Sequence, residues 1–190
     1  MSHRQHRRAG PVAVPCAILT VSDTRRPGTD RSGAWLRAAL RRAGHPVVET
    51  AIVRDEPREV RAQLRRFARA GTPVRAILIT GGTGIAPRDR TYEAVAGLLE
   101  KRLDGFGELF RMLSYREIGA AAMLSRAVAG TWRGRLLFVM PGSQAAVRLA
   151  ARRLIVPELG HAAGLLPAPR GMGRRATPQR RGAGKGRSWR

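Results

Sequence analysis

Ala76-Ile-Leu-Ile-Thr-Gly-Gly-Thr-Gly-Ile-Ala-Pro-Arg-Asp-Arg-Thr-Tyr-Glu-Ala94 decides the reading of this chain. Five residues rich in β-branched side chains predict a buried strand, and a glycine turn follows it without a spacer. Gly81, Gly82 and Gly84 allow positive φ and carry no side chain, so backbone N–H groups can come close to an oxygen-rich ligand. Thr83 adds a hydroxyl. Arg88 and Asp89 stand together just beyond, a cation suited to phosphate and a carboxylate suited to a metal ion. An α/β protein builds an anion site in this way; a tight connection into the next helix is the plainer alternative.

Working outward, similar runs at 17–21, 47–53 and 136–140 predict three more strands, with helical patterns between them. Such alternation implies a largely parallel sheet covered by helices on both faces, and no internal repeat is visible. Ser32 is read as the cap of a first helix that stops at Gly44, Pro57 as the opening of a second that ends by Gly71, and Thr91 as the cap of a third. Apolar stretches at 106–113 and 118–128 are read as helices, and Ser143 as the start of the last one. Each strand is followed by a polar or glycine-rich turn: Ser22-Asp23-Thr24, Arg54-Asp55-Glu56, Gly81-Gly82-Thr83-Gly84 and Pro141-Gly142-Ser143. In a parallel sheet these turns converge beyond the carboxyl ends of the strands, where ligands bind. Pro141-Gly142-Ser143 also offers the positive end of a helix dipole, a second cradle for phosphate.

At 190 residues and 43% apolar content the chain suits one domain with tails. A formal charge of +23 suggests nucleic acid until it is located. The 13 acids all lie between Asp23 and Glu158, whereas 167–190 holds eight basic residues and no acid. An arginine-rich body suits anionic ligands such as phosphates. The expected organisation is a disordered basic arm over 1–13, a folded unit over 14–166 and a disordered basic tail over 167–190 capable of nonspecific nucleic-acid contact. Cys16 is the lone cysteine, which excludes an internal disulfide and fits a reducing cytoplasm. His3, His6, His45 and His161 lack metal-ligand spacing. No apolar run approaches the roughly 20 residues of a membrane span.

Seven segments, in order, resemble the MoaB/MogA family of molybdenum cofactor biosynthesis: 17–24 (AILTVSDT), 30–33 (DRSG), 81–84 (GGTG), Arg88-Asp89, 105–115 (GFGELFRMLSY), 122–127 (AMLSRA) and 141–143 (PGS). The resemblance spans about 14–166, and the Phe-Gly-Glu-Leu-Phe-Arg segment points to the MoaB branch. It implies a three-layer α/β/α sandwich that assembles as a homotrimer or homohexamer and binds molybdopterin. Active members move an adenylyl group from Mg-ATP to the terminal phosphate of molybdopterin and release pyrophosphate; a separate molybdenum-inserting protein then becomes the expected partner.

By the same resemblance, Gly81, Gly82, Thr83, Gly84, Pro141, Gly142 and Ser143 hold the nucleotide. Asp55 and Asp89 are the essential carboxylates and would bind Mg²⁺, while Ser22, Asp23, Asp30, Ser114, Ser125 and Arg126 serve molybdopterin. Two carboxylates neutralising charge between a triphosphate and its acceptor are chemically sufficient for phosphoryl-type transfer. Arg90 and Tyr92 depart from the family, which usually carries an apolar residue and a proline around Thr91. A non-catalytic molybdopterin-binding or scaffold protein is the competing reading; one based on RNA rests on charge, with aromatic content at 5%.

Overall fold

Strict alternation along the strands builds the layers. A computed structural model describes residues 13–167; the rest of the expected arm and tail lies outside the described residues. In β1 (Cys16–Val21), Cys16 and Ile18 enter one core and Ala17, Leu19 and Val21 the other. The same division recurs in β3 (Ala76–Thr80) and β6 (Arg135–Met140), so the middle of the sheet is buried on both sides. β2 (Val47–Val53) is an edge strand and only partly covered.

Strand order is β2-β1-β3-β6-β5-β4; the first four are parallel, β5 (Val128–Trp132) pairs antiparallel with β6, and β4 (Lys101–Arg102) pairs antiparallel with β5. Helix α1 (Arg31–Arg42), helix α4 (Asp104–Ile118) and the continuous run of α5 (Gln144–Ala150), a π-helical turn (Ala151–Ile155) and α6 (Val156–Gly164) cover one face. Helices α2 (Pro57–Phe67) and α3 (Thr91–Ala96) cover the other. The three-layer α/β/α architecture expected from the sequence is present. Phe106 anchors α4 to the sheet, its ring edge-on to Phe138 with centroids 5.4 Å apart.

Three local expectations are corrected. The 118–128 stretch is not a helix. Gly119, at φ 61°, ends α4, a 3₁₀ segment (Gly119–Leu124) follows, and Val128 begins β5. The hairpin from β5 to β6 turns on Arg133 and Gly134, at φ 49° and 72°, the two-residue geometry whose twist matches antiparallel strands. Ser32 is not the cap of α1; Asp30 is, accepting the Gly33 N–H at 2.9 Å. Thr91 does not cap α3 either, because it is already the first helical residue, after Arg90. Pro57 and Ser143 open their helices as expected, Ser143 Oγ accepting the Ala146 N–H at 3.2 Å.

Candidate functional site

Because β1, β2, β3 and β6 are parallel, the four turns do meet at one edge of the sheet. Their contacts are specific. Gly81 donates its N–H to Met140 O at 3.0 Å and lies against Gly142. Gly142 O is held by Ser32 Oγ at 2.9 Å and by Arg25 Nη2 at 2.8 Å. With that carbonyl fixed and the peptide trans, the Ser143 N–H must point the opposite way. The β1–α1 loop thereby orients the Pro141-Gly142-Ser143 turn.

The glycine loop lies between the two candidate carboxylates. Gly81 and Gly82 have φ of 105° and 62°, which only glycine adopts without strain. A Cβ on Gly82 would lie 2.1 Å from Asp55 Oδ2, and one on Gly84 2.5 Å from Asp89 Oδ2. Any side chain at either position would displace a carboxylate. Thr91 Oγ1 donates to Asp55 Oδ1 at 2.9 Å, and the Arg90 N–H reaches both oxygens at 3.3 Å. Asp55 is only 5% exposed; that burial raises its pKa, and Asp89's charge adds to the rise, while the Thr91 and Arg90 bonds oppose it. Asp89 Oδ2 accepts the Ala86 N–H at 3.2 Å and remains at the surface side of the loop.

Arginines brace the rim. Arg88 holds both oxygens of Asp23, at 2.7 and 2.9 Å, and also pairs with Glu56, so it joins the ends of β1, β2 and β3. The Arg88 bonds hold the Asp23 carboxyl at about 2. Arg126 donates to Thr83 O at 3.2 Å and Asp89 O at 3.0 Å, pairs with Glu93, and stacks over Tyr92 at 5.0 Å. Its guanidinium thus ties the glycine loop at Thr83 to the backbone at Asp89.

Several hollows open around this ridge. One of about 680 Å³ is lined by Ser22, Asp23, Arg25, Asp30, Arg37 and Arg54. A second of about 260 Å³ lies between Thr83, Gly84, Ser114, Ser125, Pro141 and Ser143. The third, of about 460 Å³, is bordered by Asp89, Arg90, Glu93 and Arg126. The residues expected to serve one molybdopterin are therefore divided: Ser22, Asp23 and Asp30 face the first hollow, Ser114 and Ser125 the second, and Ser125 with Arg126 also borders a further one of about 440 Å³. Asp30 is engaged within the fold, accepting from Thr20 Oγ1 at 2.6 Å and pairing with Arg25 at 3.5 Å. Ser22 Oγ is turned to the Thr24 and Arg25 N–H groups. Ser125 Oγ, buried without a hydrogen-bond partner among the described residues, is available to a ligand.

Arg25, Thr91 and the Arg90 N–H carry no ligand motif in the sequence. Thr91 had a simpler use as a helix cap, and Arg25 lay in a loop with no motif of its own. Cys16 takes no part: burial raises its thiol to about 12.

Fold and turn cluster define the class, an α/β/α protein whose loops gather at the carboxyl end of a parallel sheet. The family profile described as "Probable molybdopterin binding domain" matches residues 17–161. Molybdenum cofactor biosynthesis protein B of Halalkalibacterium halodurans is 53% identical over 162 residues, spanning 85% of this chain and 95% of its own. Its namesake in Bacillus subtilis is 47% identical over 165 residues, with the same shares of 85% and 95%. A crystal structure of a molybdenum cofactor biosynthesis protein B superposes with a TM-score of 0.78 at 49% identity, over 80% of this chain and 95% of that one. The tungsten cofactor synthesizing protein MoaB from Pyrococcus furiosus gives 0.69 at 35% identity, over 80% and 96%. The chain belongs to the MoaB/MogA family of molybdenum cofactor biosynthesis proteins, as its motifs implied.

Proposed function

We propose that the protein binds molybdopterin and transfers an adenylyl group to it from ATP. The observation that carries this reading is the glycine loop clasped between Asp55 and Asp89, with Gly82 against one carboxylate and Gly84 against the other. Nucleotide phosphates are assigned to the backbone donors of Gly82, Thr83 and Gly84 and to the Ser143 end of α5; the Gly81 N–H is taken by Met140 O, so Gly81 shapes the loop instead of donating to the ligand. The terminal phosphate of molybdopterin attacks the α-phosphorus of ATP through one of its oxygens. A new P–O bond forms, the bond from the α-phosphorus to the bridging oxygen breaks, and pyrophosphate leaves with that electron pair. A phosphate nucleophile is already ionised, so no general base is needed.

The residues fit Mg²⁺ bound with the nucleotide. This ion keeps several waters and takes one or two carboxylates plus substrate phosphates, so two aspartates suffice. A cation would also relieve the mutual repulsion that helps to raise Asp55. Asp89 and Asp55 are the residues that would hold it. Bound there, Mg²⁺ supplies neutralisation of phosphate charge. Asp55 is kept in place by Thr91 and Arg90, and Arg126 fixes the backbone of Thr83 and Asp89 on either side.

One observation favours the non-catalytic alternative: the Asp55 carboxylate is buried and already bonded by Thr91 and Arg90. Incubation with molybdopterin, ATP and Mg²⁺ separates the two. Adenylylated molybdopterin with matching pyrophosphate supports transfer, whereas molybdopterin retained without pyrophosphate identifies a carrier.

Assembly belongs to the same reading. Leu109, Met112, Tyr115, Ile118 and Met123 lie exposed along α4 and the 3₁₀ segment, an apolar stripe suited to contact between copies in a trimer or hexamer. Among the described residues no helix is long and apolar enough to cross a membrane. A cytoplasmic setting, and the molybdenum-inserting protein as partner, follow from the proposed reaction.

A further inference from the structure

The end of the sheet opposite the turns carries an unbalanced charge that the proposed reaction does not use. Helices α1 and α2 run antiparallel to their strands, so their last turns deliver Arg41, Arg42, Arg65 and Arg66 to the amino-terminal edge, all exposed. The helix dipoles account for these four. They do not account for the arginines of the β5–β6 hairpin. Arg135 is only 3% exposed, its Nη1 donates to Arg133 O at 2.8 Å, and its Nε is buried without a hydrogen-bond partner. Arg75 lies beside it and caps α6 through Ala163 O at 2.6 Å and Leu166 O at 3.0 Å. Burial, with Arg75 and Arg133 nearby, pushes the Arg135 guanidinium below its usual range.

Carboxylates at this edge do not neutralise it. Glu49 pairs with Arg69, and Glu100 accepts the backbone N–H of Arg133. Among the described residues none of Arg41, Arg42, Arg65, Arg66, Arg75, Arg133 and Arg135 forms an ion pair. Arg135 is held by a backbone carbonyl instead of a carboxylate, so its buried charge is left to add to the positive field of this edge. Both ends of the described chain come to the same edge: Val14 donates its N–H to His45 at 3.2 Å just before β1, and Pro167 lies by Gly134. Beyond them the sequence adds Arg4, Arg7 and Arg8 on one side and eight basic residues with no acid on the other.

We propose that the amino-terminal edge of the sheet is a docking face for nucleic acid, held through its phosphodiester backbone. Phosphate is favoured over an acidic protein for two reasons. The cations are almost all arginine, whose planar fork matches phosphate oxygens, and the terminal segments supply few of the large apolar side chains that anchor protein interfaces. Binding is sequence-independent, because the edge offers charge rather than groups that read bases.

The test is fluorescence anisotropy of the full-length chain with a short labelled single-stranded RNA and a DNA duplex of matched length, over a salt series. The triple variant Arg42→Glu, Arg65→Glu, Arg66→Glu alters only exposed side chains and should weaken binding roughly tenfold or more. Its salt slope on the RNA should fall by about 2, at about 0.7 for each lost contact. Loss on both probes identifies backbone recognition shared by RNA and DNA; loss on the RNA alone identifies single strands as the ligand. Molybdopterin binding by the triple variant should be unchanged, and Arg90→Val, at the other end of the sheet, should leave RNA binding intact. The proposal is overturned if the triple variant binds RNA with the affinity and salt slope of the parent chain. It is also overturned if Arg90→Val weakens RNA binding as much, or if poly-glutamate of matched length binds more tightly than the RNA.

Discussion

The two ends of the sheet use arginine in opposite ways. At the carboxyl end Arg25, Arg54, Arg88 and Arg126 each pair with a carboxylate, and the pairs hold loops in place around a ridge of backbone donors. At the amino end Arg69 is paired, while Arg75 and Arg135 donate to backbone carbonyls and Arg133 stacks over the Trp132 ring at 5.0 Å. A net charge of +23 thus describes neither end. Where charge is neutralised internally, the fold gains precise geometry suited to a small ligand. Unneutralised charge offers a diffuse attraction to a polyanion, which needs no precise geometry.

The largest expected effect belongs to the carboxyl end. Asp89→Asn keeps the shape of the loop but removes a charge, and adenylyl transfer measured by pyrophosphate release should fall by orders of magnitude with the melting temperature unchanged. Near-parent turnover at saturating Mg²⁺ would remove Asp89 from the proposed metal site.

Next in size is the apolar stripe on α4. Met112→Glu puts a charge in the middle of an exposed apolar surface, and light scattering should show the assembly reduced to monomers at micromolar concentration. A parent chain that is itself monomeric there would refute the assembly.

Asp55 and Asp23 should respond to pH in opposite directions. Asp55 has a raised folded-state pKa, so its contribution to stability is complete below the unfolded carboxyl pKa of about 3.9 and is lost as pH rises through the folded value. Asp23 sits at about 2, so its contribution is present above about 4 and disappears as pH falls toward 2. Urea midpoints across acid pH should therefore show Asp55→Asn gaining on the parent as pH rises, and Asp23→Asn losing to it. Parallel curves would contradict the burial of Asp55 and the Arg88 bond to Asp23. Thr91→Val, which strips Asp55 of its hydroxyl donor, should cost about 1–3 kcal/mol in the same denaturation series.

Smallest of all at the carboxyl end should be truncation after Pro167. It removes eight basic residues and none of the described elements or candidate site residues, so pyrophosphate release should match the full-length chain. Lost turnover with RNA affinity intact would tie the tail to the ligand turns instead of the opposite edge.

Much of the carboxyl end was legible beforehand because each strand is a run of branched residues with its turn directly attached. The runs at 47–53 and 76–80 coincide with β2 and β3. β5 was hidden by continuity of apolar character from Ile118 onward; only the positive φ of Gly119 and the two-residue turn at Arg133 and Gly134 separate helix, 3₁₀ segment and strand. Hydroxyls were the least legible. Ser32 and Thr91 both stand where a cap belongs, yet one binds Gly142, 110 positions away, and the other Asp55, 36 positions away.

By itself the amino-acid sequence determined the α/β/α class, the convergence of four turns and the family, because periodicity, β-branching and turn chemistry act over a few neighbouring residues and are written in their order. Tertiary structure alone decided which carboxylate is buried, how the candidate ligand residues divide among separate hollows, and which arginines meet a carboxylate. Those outcomes depend on which distant side chains packing brings within 3 Å or so of one another, and on how much water it leaves around each charge.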